Sequence, residues 1–84
     1  MMVSERFLRN VRFCCKMKGI KTAEIEDFVG VAHGYVSERV NRHHAVKLDD
    51  AVKFAELAGQ PIDRLCTAEI DKKGRHLIWA GNAI

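Results

Sequence analysis

The 84-residue chain has one proline, six glycines and three cysteines, and no apolar run approaches the length of a membrane span. Each scarcity excludes something. With so little proline and glycine, and with 48% apolar and 30% charged residues, the chain is neither disordered nor collagenous nor a linker. Without a long apolar run no anchor is expected. The N-terminus carries Glu5, Arg6 and Arg9 with no apolar stretch behind them, so no signal peptide is read and a cytoplasmic protein is expected. Cys14 and Cys15 are adjacent, Cys66 is the odd third, and no C-x-x-C occurs. A disulfide scaffold is therefore excluded, and reduced thiols on apolar faces are expected. His43-His44 lacks ligand spacing to any cysteine, which argues against zinc. Also missing are a His-Glu-x-x-His, a phosphate loop and a nucleophile elbow. A chain that buries only ~60–65% of its unfolded surface builds one core rather than a core with a deep cleft. No enzyme, cofactor, metal or small-molecule substrate is expected.

The net charge of +3 is mild, but its distribution is uneven. Residues 1–21 hold Arg6, Arg9, Arg12, Lys16, Lys18 and Lys21 against Glu5 alone. Glu24, Glu26 and Asp27 make the next block acidic, and residues 31–47 return to positive with His33, His43 and His44 among them. Each block taken alone reads as an ordinary solvated face. Together they read as two basic segments beside an acidic one, an arrangement suited to a polyanion.

Periodicity gives five helices. Residues 4–18 carry Phe7, Leu8, Val11, Cys14 and Cys15 on one stripe, with Ser4 as the expected cap, Arg9, Arg12 and Lys16 opposite, and Gly19 as the stop. Phe13 and Met17, four residues apart, lie off that stripe. Residues 22–29 form a second helix, with Thr22 as cap and Ile25, Phe28 and Val29 buried. Gly30 supplies the turn. Residues 32–41 form a third through Val36 and Val40, with Gly34 as a weakening interior glycine. Leu48, Ala51, Val52, Ala55 and Ala58 mark a fourth, ending at Gly59. Pro61 begins a fifth, with Ile62, Leu65 and Cys66 inward. From residue 67 the pattern changes. Asp71-Lys72-Lys73-Gly74 reads as a turn before a strand-like Arg75-His76-Leu77-Ile78-Trp79, so a hairpin is expected, with a frayed helix or an extended tail as its rivals.

Several of these landmarks resemble the lambda-repressor-like helix-turn-helix family. They are Ile25, Val29-Gly30-Val31, Val36-Ser37, Leu48-Asp49, Ala55-Glu56-Leu57-Ala58-Gly59 and Ile62-Asp63-Arg64-Leu65. The intervals between them need no insertion or deletion, and with the first helix the resemblance covers residues 4–66. It implies an all-α, five-helix domain over residues 1–66, with residues 67–84 as a C-terminal extension. It also implies a sequence-specific DNA-binding transcriptional regulator of bacterial or phage type, a homodimer on double-stranded DNA. The chain departs from the family pattern at four places. Glu26 stands where a small residue is usual, Ala32 and Lys47 replace capping Ser or Thr, and Arg39 replaces an apolar residue that Val40 can stand in for.

The resemblance makes the third helix the reader of the major groove, and its first turns then carry the contacts. His33 can donate to purine N7. Gly34 either relieves a close approach within the fold or lets DNA come near. Tyr35 either touches phosphate or thymine methyl, or packs at the core edge. Ser37 faces the groove, and Glu38 either pairs with Arg42 or accepts from cytosine N4. Asn41, Arg42, His43 and His44 fall where phosphates pass, as do Lys21 and Thr22 at the start of the second helix, and Arg39 is counted with the residues that favour DNA. The rival reading is a protein–protein adaptor or anti-regulator on the same fold, favoured by Glu26, Glu38 and the modest charge. Finally, Leu77, Ile78, Trp79 and Ile84 are costly to leave in water. The extension either folds back over Phe13 and Met17, or pairs its strand with that of a second copy and buries Trp79 across a two-fold axis.

Overall fold

The apolar stripe of the first helix is where the rest of the chain collects. The computed structural model describes residues 3–42, 44–79 and 82–83, the last two by their backbone. Five helices come first: α1 (Val3–Met17), α2 (Thr22–Val29), α3 (Tyr35–Arg42), α4 (Leu48–Ala58) and α5 (Ile62–Thr67). Three short strands follow: β1 (Glu69–Ile70), β2 (Leu77–Trp79) and β3 (Asn82–Ala83), in an antiparallel sheet of order β1-β2-β3. The fold is thus mostly helical with a small sheet behind it. Among the described residues no helix is long and apolar enough to cross a membrane.

One core joins all the helices and the central strand. Phe7, Leu8, Val11, Cys14 and Cys15 bury the predicted stripe of α1. Against them lie Ile25 and Val29 of α2, Val36 and Val40 of α3, and Leu65 of α5. In α4 the buried residues are Ala51, Phe54, Ala55 and Ala58, an i, i+3, i+4, i+7 stripe. Phe54 is fully buried, meeting Phe7 edge-on at 6.3 Å and stacking on Tyr35 at 6.2 Å. The expected α4 face was therefore rotated: Leu48 and Val52 lie outside, and Phe54 takes the central place. Phe28 is likewise exposed, because Glu26 turns inward in its stead.

Polar groups close the helix ends in ways the residue types alone did not announce. Ser4 is inside α1 rather than capping it, and its hydroxyl accepts from the Val46 amide at 3.4 Å. The cap of α2 is Lys21, one residue before Thr22, and Glu24 reaches back to accept the Lys21 amide at 3.0 Å. Asn10 is buried in α1 and its Nδ2 donates to the carbonyls of Leu65 and Ala68, satisfying the end of α5. Lys18 Nζ donates to the carbonyls of Leu57 and Ala58, a cation placed on the C-terminal end of α4. Pro61 is the cap of α5 rather than its first residue.

The hairpin expected after residue 67 is present, turning through residues 71–74, where Asp71 Oδ1 accepts the amides of Arg75 and His76. It lies against α1 and α5. Ala68 and Leu77 are wholly buried, Arg6 pairs with Glu69 at 3.1 Å, and the Arg64 guanidinium covers the Trp79 ring at 4.0 Å. Fold-back, the first of the two outlets, is what the sheet adopts, though Met17 stays exposed and Phe13 only half-buried. Leu77 is consequently not a surface residue, which removes it from any self-association face. Pairing of β2 with its counterpart in a second copy is also precluded, because β1 and β3 occupy both of its edges.

Candidate nucleic-acid interface

The corner between α2 and α3 is built from two glycines and one buried carboxylate. Gly30 ends α2 with φ 87°, and its amide returns to the Glu26 carbonyl. Gly34 follows at φ 93°, immediately before α3. Side chains with a Cβ rarely adopt either conformation. Gly34 therefore does not weaken a helix interior: it stands ahead of a helix that begins at Tyr35, three residues later than periodicity suggested. A Cβ there would meet nothing within 4 Å, so relief of a close approach inside the fold is not its reason either.

Glu26, only 2% exposed, accepts the Val36 amide through Oε2 at 3.0 Å. That amide is one of the donors that the first turn of α3 leaves without an intrahelical partner. Glu26 and Ala32 thus answer one another. Ala32 offers no cap, and a carboxylate from the preceding helix does the capping, with its charge on the positive end of α3. The Glu26 carboxylate thus points inward, toward the start of α3.

The predicted contact residues divide into free and engaged. Ser37, Glu38, Asn41 and Arg42 are exposed along α3. Glu38 and Arg42 form no ion pair among the described residues. His33 is exposed but held, its Nε2 lying 2.7 Å from Asp27 Oδ1, and this hydrogen bond raises the imidazole above its ordinary 6.5. Tyr35 is half-buried between Phe54 and the Arg39 guanidinium, which lies 4.5 Å over its ring, with the Tyr35 hydroxyl donating to Asp50 at 3.5 Å. It packs at the core edge. Arg39 is correspondingly flattened, with Nη1 donating to His44 Nδ1 at 3.0 Å, so it does not project as a free cation. Val40, beside it, takes the core position. His43 and Ile84 lie outside the described residues. Lys21 and Thr22 line an open hollow at the start of α2 together with Arg12 and Lys16.

Cys14, Cys15 and Cys66 are free thiols. Burial pushes all three up, Cys15 to about 11, so none is a ready nucleophile. Sequence reasoning missed the roles of Glu26, Asp27, Asn10 and Lys18. Only Glu26 left a signal, standing where a small residue is usual, six residues before an absent cap. Compared with protein-family models, with curated proteins and with solved structures, the chain matches none.

Proposed function

We propose that this chain is a sequence-specific DNA-binding transcriptional regulator, with α2, the Gly30–Gly34 turn and α3 acting as a helix-turn-helix of lambda-repressor-like type. The observation that carries this reading is α3 itself. It is a short helix on the outside of the core, capped by Glu26, whose exposed side chains are the polar set Ser37, Glu38, Asn41 and Arg42. Such a helix offers base-reading groups in its first turns and a cation at its end for phosphate. Lys21 and Thr22, at the start of α2, supply a second phosphate contact. The proposed regulator acts as a homodimer, since one domain of this size contacts few base pairs and two spaced by a helical turn reach useful specificity.

A rival reading, a protein–protein adaptor on the same fold, draws on Asp27 and Glu38, two exposed carboxylates beside α3, and on exposed Phe28, Leu48 and Val52. Salt-titrated binding to random and selected duplexes separates the two. Arg42→Ala is expected to weaken binding to every sequence and to flatten the salt slope by about one per lost phosphate contact. His33→Ala is expected to relax preference at one base pair. Parent-like binding by both variants would remove α3 as the reader. A parent chain that binds no duplex even at low salt would leave the adaptor.

A further inference from the structure

The exposed face of α1 carries a furrow of which the proposed DNA reading uses only the end at Lys21 and Thr22. An open hollow of about 580 Å³ is lined by Arg9, Arg12, Lys16 and Lys21, with Phe13, Ile20 and Ile70 among its other residues. A second hollow, where α1 passes Ala68 and β1, meets it at Arg9 and Ile70 and adds Arg6. The furrow therefore runs along α1 from Arg6 to Lys16, about 15 Å at 1.5 Å per residue.

Its charges are not balanced from within. Arg6 is neutralised by Glu69 and Arg9 by Glu5. Arg12, Lys16 and Lys21 make no ion pair among the described residues, and Glu69 is the only carboxylate on either lining. Lys18, the other cation of this stretch, is occupied at the end of α4. Three unpaired cations thus stand around a floor that is apolar: Phe13 and Ile20 half-buried, Ile70 40% exposed.

We propose that this furrow docks a short acidic segment of another protein, one that carries bulky apolar side chains among its carboxylates. The combination of rim and floor selects that occupant. A phosphate backbone would use the cations and gain nothing from Phe13, Ile20 and Ile70, whereas a mixed acidic and apolar peptide uses both. The length fits as well: about 15 Å is four to five residues of extended chain at ~3.3 Å each. A surface of this extent gives a weak, transient contact whose rate of encounter is raised by charge.

The test uses the full chain and a fluorescein-labelled peptide of about eight residues alternating glutamate with leucine and phenylalanine, long enough to fill the furrow. A glutamate-only peptide and a short random duplex serve as competitors. The mixed peptide is expected to bind and to shift the amide resonances of Phe13, Ile20 and Ile70. Arg12→Glu with Lys16→Glu, both exposed positions, should lower its affinity at least tenfold. Ile70→Ser should lower it severalfold without altering the response to glutamate alone. Arg42→Ala, which removes a proposed DNA contact on α3, should bind the peptide as the parent does. Equal binding of the glutamate-only peptide would reduce the furrow to bare charge and overturn the proposal. So would displacement of the peptide by duplex with shifts at Arg12 and Lys16, which would make this a phosphate surface, and so would unchanged spectra at the three apolar residues.

Discussion

A carboxylate at 2% exposure persists only where donors compensate for the water it has lost, and Glu26 finds one in the Val36 amide. Glu26→Ala is expected to orphan that amide and cost about 1–3 kcal/mol in urea unfolding, while Glu26→Gln keeps an acceptor and loses less. An unaltered midpoint for the alanine variant would mean the cap contributes nothing. The second exposed carboxylate of α2, Asp27, acts on His33. Their hydrogen bond raises the imidazole above 6.5, so the folded state binds the proton more tightly than the unfolded state does. The resulting stability is fully present below 6.5 and is lost as pH rises through the folded value. A proton-resonance titration of His33 should show its midpoint above 6.5, falling toward it in Asp27→Asn. The stability difference between parent and variant should be largest below 6.5 and shrink as the pH is raised through the His33 midpoint. Neither residue's role was legible in sequence: a buried Glu and an exposed Asp one position apart look alike until the third helix is placed over them.

Helices were legible where an apolar stripe and a stop signal coincide. The α1 stripe from Phe7 to Cys15 emerged as read, and Gly19, Gly30 and Gly59 stop α1, α2 and α4 as expected. Where a segment carried more apolar residues than one face accommodates, the choice failed. Val52 was taken as inward although Phe54, two residues on, completes a better stripe, and Phe28 was taken as inward although Glu26 had a donor to meet. The cap of α2 and the start of α3 were missed for a different reason, because the carboxylates that close those ends come from side chains three and ten residues away. Gly34 makes this distinction measurable by sign. As a helix-interior glycine its replacement by alanine should stabilise by about 1 kcal/mol. At φ 93°, ahead of the helix, Gly34→Ala should instead destabilise by about 1–2 kcal/mol. Thermal or urea unfolding decides between them.

At the scale of the whole molecule, the question is what the last strands are for. A boundary at residue 66 suggested a finished helical domain with a separable extension, but Leu77 is wholly buried in the same core as Phe54 and Leu65, and Ala68 closes the end of α5 against Asn10. Cutting after Thr67 therefore uncovers the core. Loss of the Leu77 side chain alone forfeits about 1.5–3 kcal/mol of burial, and the Arg64 stack on Trp79 goes with it. The truncated chain should unfold at markedly lower urea whatever its state of association. A change in its sedimentation would then report unfolding rather than a lost dimer contact. The proposed dimer needs a probe that spares the core. Ile78 is that probe: it lies on the central strand, 40% exposed, on the sheet face opposite Leu77. If the sheet's outer face joins two copies, Ile78→Glu should convert a sedimenting dimer to a monomer at micromolar concentration. It should also weaken binding to a two-fold operator while leaving the urea midpoint of the monomer near the parent's. A parent that already sediments as a monomer, with Ile78→Glu indistinguishable from it, would take self-association away from this face and leave the hairpin as a lid on the helical core.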